Sequence, residues 1–372
     1  MKKLTTYGLG RAGAVLLLGA LVLPATGAEW LPDQELVPGA APAYTLSNSG
    51  RSADMDPSGS IHVVFQSHLD TDTFQVDYTF RTAGGEWAEP ALISADANAR
   101  NASLVSDGAG GIHVVWENVS SSRGQVEYRH RSPDGVWSEI TPLSDGTGLV
   151  EDPVIRVDAF ERIHVAWVDG RSGAREILYC RRDSDGDWGE SRLLSVGGGA
   201  PSEPSMAADG LGVVHVVWRD RIGIDRPAGF FNFEIFYLRL GPEELPLIQP
   251  ERLTHDLGVS RSPFIETNVD GTVHVVWADN RHKAGSTEFE VYYRRYLHGV
   301  GWTHEKRFTY DGTDHGQPVI VAGRRTRSTW PGRTTVTATP RSISARSRSS
   351  WVGIPGPRGS PTTIPPRSSR VW

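Results

Sequence analysis

The sequence holds one cysteine, Cys180, so no disulfide can form within the chain and stability has to come from packing. Beyond residue 23 it lacks any apolar run of the roughly 20 residues that a membrane-spanning helix needs. Residues 323–372 lack Asp and Glu altogether while carrying ten Arg and seven Pro, so the overall charge of −6 hides −16 in the rest of the chain. No phosphate-binding glycine loop, zinc motif or Ser-His-Asp order stands out. These absences exclude a disulfide scaffold and a helical membrane span, and they leave the information in repetition.

One string returns five times: Ile61-His62-Val63-Val64-Phe65, Ile112-His113-Val114-Val115-Trp116, Ile163-His164-Val165-Ala166-Trp167, Val214-His215-Val216-Val217-Trp218 and Val273-His274-Val275-Val276-Trp277. The histidines lie 51, 51, 51 and 59 residues apart, the mark of a repeat architecture. Around each string stand a short strand, an Asp-x-x-Gly turn such as Asp56–Gly59, a third strand with a Tyr (Tyr78, Tyr128, Tyr179, Tyr237, Tyr293) and a Gly-rich turn before a fourth strand. Val, Ile, Tyr and Trp between Asp-Gly turns favour short antiparallel strands. Four strands in about 50 residues describe a propeller blade.

The expected fold is therefore all-β, a six-bladed β-propeller of four-stranded antiparallel blades. Blades one to five fill residues 49–316 and a sixth starts at 317–322, incomplete in this chain. Residues 29–48, with Trp30 and Leu46-Ser47, read as an outer strand closing blade six. Lys2, Lys3 and Arg11, the apolar run Ala12–Leu23 and the small residues at 25–28 read as a signal peptide over residues 1–28. The expected product is a secreted or periplasmic monomer without a lipid anchor, since no Cys lies near the cleavage site.

Residues 323–372 read as a disordered basic tail. Their composition also fits a shifted reading frame beginning near Ala322. Taking the last base of each preceding codon with the first two of its own, Thr329–Ser344 can spell His-Val-Ala-Trp-Ala-Asp-Asp-Arg-Asn-Gly-Asn-Thr-Glu-Ile-Tyr-Phe, the second and third strands that blade six needs. Pro331 after Trp330 gives Ala in that frame whatever its codon. On this reading the basic charge is an accident and nucleic acid is not a partner.

Ligands of a propeller usually meet the face formed by the loops between second and third strands. There the chain places Asp169 and Arg171, Asp220 and Arg221, and Asp279 and Arg281. Guanidinium forks grip carboxylates, but recurrence at one repeat position weighs toward ion pairs that maintain the repeat. Departures from the repeat are stronger candidates. Trp218 to Glu234 is 16 residues against 9 from Trp167 to Glu176, and the extra length holds Asp225, Arg226, Phe230 and Phe231. Asp152, Glu203, Arg261 and His315 begin innermost strands and are expected at the channel mouth.

The repeated histidines lie in different blades, too far apart to share an ion, so a hydrogen-bonded role between blades is expected, with no metal and no cofactor. Asp183-Ser184-Asp185-Gly186-Asp187 resembles a calcium loop in part, and reads better as a hairpin turn.

Ser132-Pro133-Asp134-Gly135-Val136-Trp137 and Ser184-Asp185-Gly186-Asp187-Trp188 resemble shortened Asp-boxes, the Ser-x-Asp-x-Gly-x-x-Trp turns of sialidases and other bacterial neuraminidase repeat proteins. Over residues 30–321 the chain resembles a secreted bacterial member of that sialidase-like class. The resemblance implies a six-bladed propeller. It transfers no catalytic residue, because the sialidase Phe/Tyr-Arg-Ile/Val-Pro motif has no match and Asp-boxes lie opposite the active site. The expected function is a module binding an extracellular or cell-surface glycan or protein. The alternatives are a sialidase-like or other polysaccharide-degrading enzyme with a non-standard site, and a purely structural surface module.

Overall fold

The computed structural model describes residues 43–44, 51–68, 73–95, 98–120, 123–196, 199–222, 232–243, 246, 248–268, 270–283, 287–310, 314–322, 334–340 and 350–354. They form five sheets of at least four strands and a sixth of three, every strand antiparallel to its neighbours. Blade three shows the pattern: inner strand Val150–Val157, second strand Ile163–Asp169, third strand Glu176–Arg182 and outer strand Arg192–Leu193, in that order. The five-blade reading therefore stands, with a partial sixth.

The second strands are buried along both faces, as a sheet covered on both sides requires. In Ile163–Asp169 and Val273–Asp279 every residue is buried. Trp116, Trp167, Trp218 and Trp277 are fully buried within clusters that draw side chains from adjacent blades. Cys180 packs among them as a small apolar residue. Further out, Trp137, Trp188 and Trp302 stand edge-on against Tyr78, Tyr128 and Tyr237 of the preceding blades, with ring centroids 5.1, 4.9 and 4.9 Å apart. The turns that follow the third strands thus deliver a tryptophan latch between neighbours.

The histidines bond within their own blade, which corrects the expectation of a bond between blades. Nδ1 of His62, His113, His164, His215 and His274 lies 2.6, 2.7, 2.7, 2.7 and 2.9 Å from the hydroxyl of Tyr78, Tyr128, Tyr179, Tyr237 and Tyr293. Nε2 of His62, His113 and His164 faces Asp56, Asp107 and Asp158 at 3.2, 3.1 and 3.1 Å. The same aspartates accept backbone N–H groups of the turn, such as those of Ala109 and Gly111 on Asp107. Adjacent strands share a sheet, so the repeat spacing places this triad inside one blade.

Inner strands carry a register shift at one shared position, where Asn101, Asp152, Glu203, Ser262 and Gln317 adopt φ of 53°, 52°, 54°, 49° and 63°. Left-handed backbone at non-glycine residues costs on the order of 1–3 kcal/mol each, and the surrounding sheet holds it in place.

Two expectations about the ends need correction. Ala43–Tyr44 pairs with Ser67 and Gln66 of blade one, not with blade six. It occupies the place of Val150-Glu151 in blade three, the half of the inner strand that precedes the register shift. A longer insertion in blade one separates the halves, and this hid their relation. Secondly, Thr334–Pro340 and Ser350–Ile354 form strands beside His315–Ala322, inside a stretch expected to lack structure. The β-branched run Thr334-Thr335-Val336-Thr337 favours a strand, and pairing satisfies the open edge of His315–Ala322. The signal peptide, Trp30, Leu46-Ser47 and the rest of the tail lie outside the described residues.

Candidate functional site at the channel mouth

The loop pairs singled out by sequence are local braces. Asp169 is buried and accepts bonds from Trp167 Nε1 at 2.9 Å, from the Arg171 backbone at 2.9 Å and from Arg171 Nη2 at 2.7 Å. Asp279 repeats this with Trp277 at 3.1 Å and Arg281 Nη2 at 2.7 Å, and the Arg281 guanidinium also binds Asp256 and Glu305. Asp220 accepts the N–H groups of Ala200 and Arg221, each at 2.7 Å. Arg171 and Arg281 also reach back to Asp145 and Asp256, in the segments that lead in from the preceding blade. Arg226 and Phe230, with Asp225 and Phe231, lie outside the described residues. Asp183 pairs with Arg181 at 2.7 Å, as part of a hairpin turn.

The inner-strand residues do come together. Asp152 accepts the backbone N–H of Glu203, and Glu203 Oε2 accepts that of Ser262 at 2.6 Å, so these two shifted residues reach for their counterparts in the next blade. Arg219 Nε donates to Ser202 Oγ at 2.8 Å, and its Nη1 lies 3.4 Å from Glu203. Arg175 bridges Glu151 and the Pro201 carbonyl. Arg261 meets Asp314 at 3.3 Å and lies 3.4 Å over the ring of Phe289, while Arg219 lies 4.8 Å over Phe233. His315 is buried at the head of the sixth inner strand and contributes no open surface.

Sequence reasoning missed Glu117. It is fully buried in the second strand of blade two, with Oε1 receiving Arg100 Nε at 2.8 Å and the Asn101 amide, while Oε2 has no protein partner. Burial pushes this carboxyl up to about 8, with the charges of Asp152 and Glu151 adding to the rise. Burial, then the charges of Glu203 and Glu151, lift Asp152 to about 6. Carboxyls displaced in this way are characteristic of sites that hold or transfer protons. A signal was present: the position after each repeated aromatic reads Gln66, Glu117, Val168, Arg219 and Ala278, varying between strings that otherwise repeat.

Four carboxylate–guanidinium pairs, Arg100–Glu117, Arg175–Glu151, Arg219–Glu203 and Arg261–Asp314, therefore stand on successive blades. Over blade five, a cavity of about 460 Å³ is lined by Asp279, Asn280, His282, Glu290, Arg307 and Tyr310, among others. Its size is that of a small-ligand pocket.

No family model and no curated protein matches the chain. Solved structures share its fold. An α-L-arabinanase from Penicillium chrysogenum, complexed with arabinobiose, aligns at TM-score 0.57 and 14% identity over 82% of this chain and 92% of its own. An α-L-arabinofuranosidase from Fusarium graminearum gives 0.56 and 13% over 82% and 91%. An ulvan lyase gives 0.60 and 11% over 84% and 82%. The chain is a β-propeller of the architecture these proteins share.

Proposed function

We propose that the channel mouth binds a glycan of the extracellular or cell-surface kind. One observation carries this reading: residues that break the repeat, Glu117, Asp152, Arg175, Glu203 and Arg219, gather at the mouth from three consecutive blades. Alternating carboxylates and guanidinium groups suit a ligand rich in hydroxyls, since they offer acceptors and donors within one side chain's reach. The arabinanase and ulvan lyase named above act on polysaccharides through the same architecture, which supports a carbohydrate ligand without fixing which one.

A second reading, glycosidic cleavage, is favoured by the raised carboxyls. Burial raises Glu117 to about 8 and Asp152 to about 6, and two carboxyls set apart in this way suit acid catalysis at a glycosidic oxygen. Glycan-array binding together with turnover assays on plant, algal and sialylated polysaccharides tests both readings. Arg219→Ala is expected to weaken glycan binding about 10-fold or more, the scale of a lost charge-assisted hydrogen bond. Unchanged affinity in this variant would remove the mouth as the site. Turnover abolished by Asp152→Asn, with binding retained, would make the protein an enzyme.

A further inference from the structure

On the opposite face, blade two departs from its siblings at two positions that touch. Where blades one, three, four and five carry Phe80, Arg181, Arg239 and Arg295, blade two carries His130; where they carry Ser60, Arg162, Val213 and Thr272, it carries Gly111. His130 stacks on His113 with centroids 4.6 Å apart, and His113 Nε2 lies 3.1 Å from Asp107 Oδ2. Ligand atoms of Asp107, His113 and His130 all lie within 4.8 Å of one another. A Cβ at position 111 would run into Asp107 Oδ2 and would sit 2.8 Å from His130 Nε2, so the missing side chain leaves open the space on which both atoms converge.

Blade three shows what fills that space elsewhere. Arg162 stands at the position of Gly111 and puts Nε 2.7 Å from Asp158 Oδ2, so a cation permanently caps the same carboxylate oxygen. Blade two has removed the guanidinium and supplied a second imidazole. We propose that Asp107, His113 and His130 bind a divalent cation of the zinc class.

Two imidazoles and one carboxylate are a three-ligand set for zinc, with a fourth position left to water. Bond lengths of about 2.0–2.2 Å to the metal put tetrahedral ligands roughly 3.3 Å apart, close to the present spacing of Asp107 and His113. His130 completes the set by a side-chain rotation. The Tyr128 hydroxyl, 2.7 Å from His113 Nδ1, would accept a hydrogen bond from Nδ1–H in the tautomer that leaves Nε2 free for a metal, and it fixes the ring plane. Arg182, the guanidinium beside it, is engaged with the Gly186 carbonyl at 2.9 Å. The five repeated histidines stand one to a blade, whereas this cluster draws two histidines from a single blade.

The test uses the full chain, stripped of metal and titrated with Zn²⁺ by calorimetry and with Co²⁺ by visible absorption. The expected result is one ion per chain, a tetrahedral Co²⁺ spectrum and a higher Tm with Zn²⁺. His130→Arg restores the residue type of blades three to five, and Gly111→Arg copies the cap of blade three, so both variants are expected to fold. Each should weaken Zn²⁺ binding about 100-fold or more and erase the Co²⁺ spectrum. No Zn²⁺ uptake by the parent protein, or the same uptake and spectrum in both variants, would overturn the assignment.

Discussion

Blade five and the sixth sheet start alike and end differently. Their inner strands share the register shift and the left-handed residue, Ser262 in one and Gln317 in the other. Ile320 of the sixth strand is fully buried against Phe264, Val276 and Val291 of blade five. Val319 and Val321, however, are 38% and 59% exposed. In blade five the second strand Val273–Asp279 brings His274 and the fully buried Trp277; in the sixth sheet that place is taken by Thr334–Pro340, with neither residue. An inner strand can therefore dock on one neighbour by itself, but the aromatic and the histidine of the second strand make a sheet into a covered blade.

The most drastic way to break this comparison is to give the sixth sheet a second strand with the histidine and tryptophan that Thr334–Pro340 lacks. The shifted-frame reading predicts that the nucleotide sequence after the codon for Ala322 spells the His-Val-Ala-Trp blade in the alternative frame. Codons that do not spell it would end the idea. The restored protein should gain more than any single side chain provides, above the roughly 3–5 kcal/mol of one buried tryptophan, and urea unfolding of the two forms would measure the gain.

The converse experiment makes a true blade resemble the sixth sheet. Trp167→Ala removes a fully buried side chain in the interface cluster of blades two and three. The expected loss is about 3–5 kcal/mol in urea unfolding. A loss under about 0.5 kcal/mol, the range for exposed positions, would mean that the tryptophan is not the element that separates the two kinds of sheet.

Fold and site differ in how far the sequence reveals them, for the same reason. His-Val-Val-Trp and the turn aspartates recur because every blade meets the same packing problem, and recurrence is visible in one dimension. The braces Asp169–Arg171 and Asp279–Arg281 were visible in the same way, and were legible as structure. Glu117, Arg175 and Arg219 were not, since each occurs once and gains meaning only from the residue that another blade places beside it. Asp152 and Glu203 were found because the start of an inner strand has a known place in a propeller. The split inner strand of blade one was missed because Ala43–Tyr44 carries no repeat residue.

Intact blades can also be compared where they differ, at the position after the aromatic. Glu117 holds its proton up to about pH 8 in the folded chain, against an ordinary 4.5. Because the folded state keeps a proton that the unfolded state releases, this group makes stability fall as pH rises from about 4.5 to about 8, by on the order of 3–5 kcal/mol. Below that window its contribution is intact. Glu117→Gln keeps an acceptor for Arg100 and cannot ionise, so it should flatten that slope and exceed the parent in stability at pH 9. Parallel unfolding profiles for the two proteins between pH 5 and 9 would show that Glu117 ionises normally.

The smallest effect concerns the pair that the sixth sheet lacks in the described strands. Tyr179 lies 2.7 Å from His164 Nδ1, and the imidazole faces Asp158 at 3.1 Å, so the triad ties the first turn of blade three to its second and third strands. Tyr179→Phe keeps the ring in the core and deletes only the hydroxyl. Burial holds His164 below its usual range, and the variant leaves Nδ1 buried without its hydrogen-bond partner. A lost buried hydrogen bond costs about 1–3 kcal/mol when the remaining partner cannot reach water. The variant should therefore unfold at lower urea with an unchanged slope. A changed slope would mean instead that the blade no longer unfolds together with its neighbours, and that the triad carries cooperativity as well as local stability.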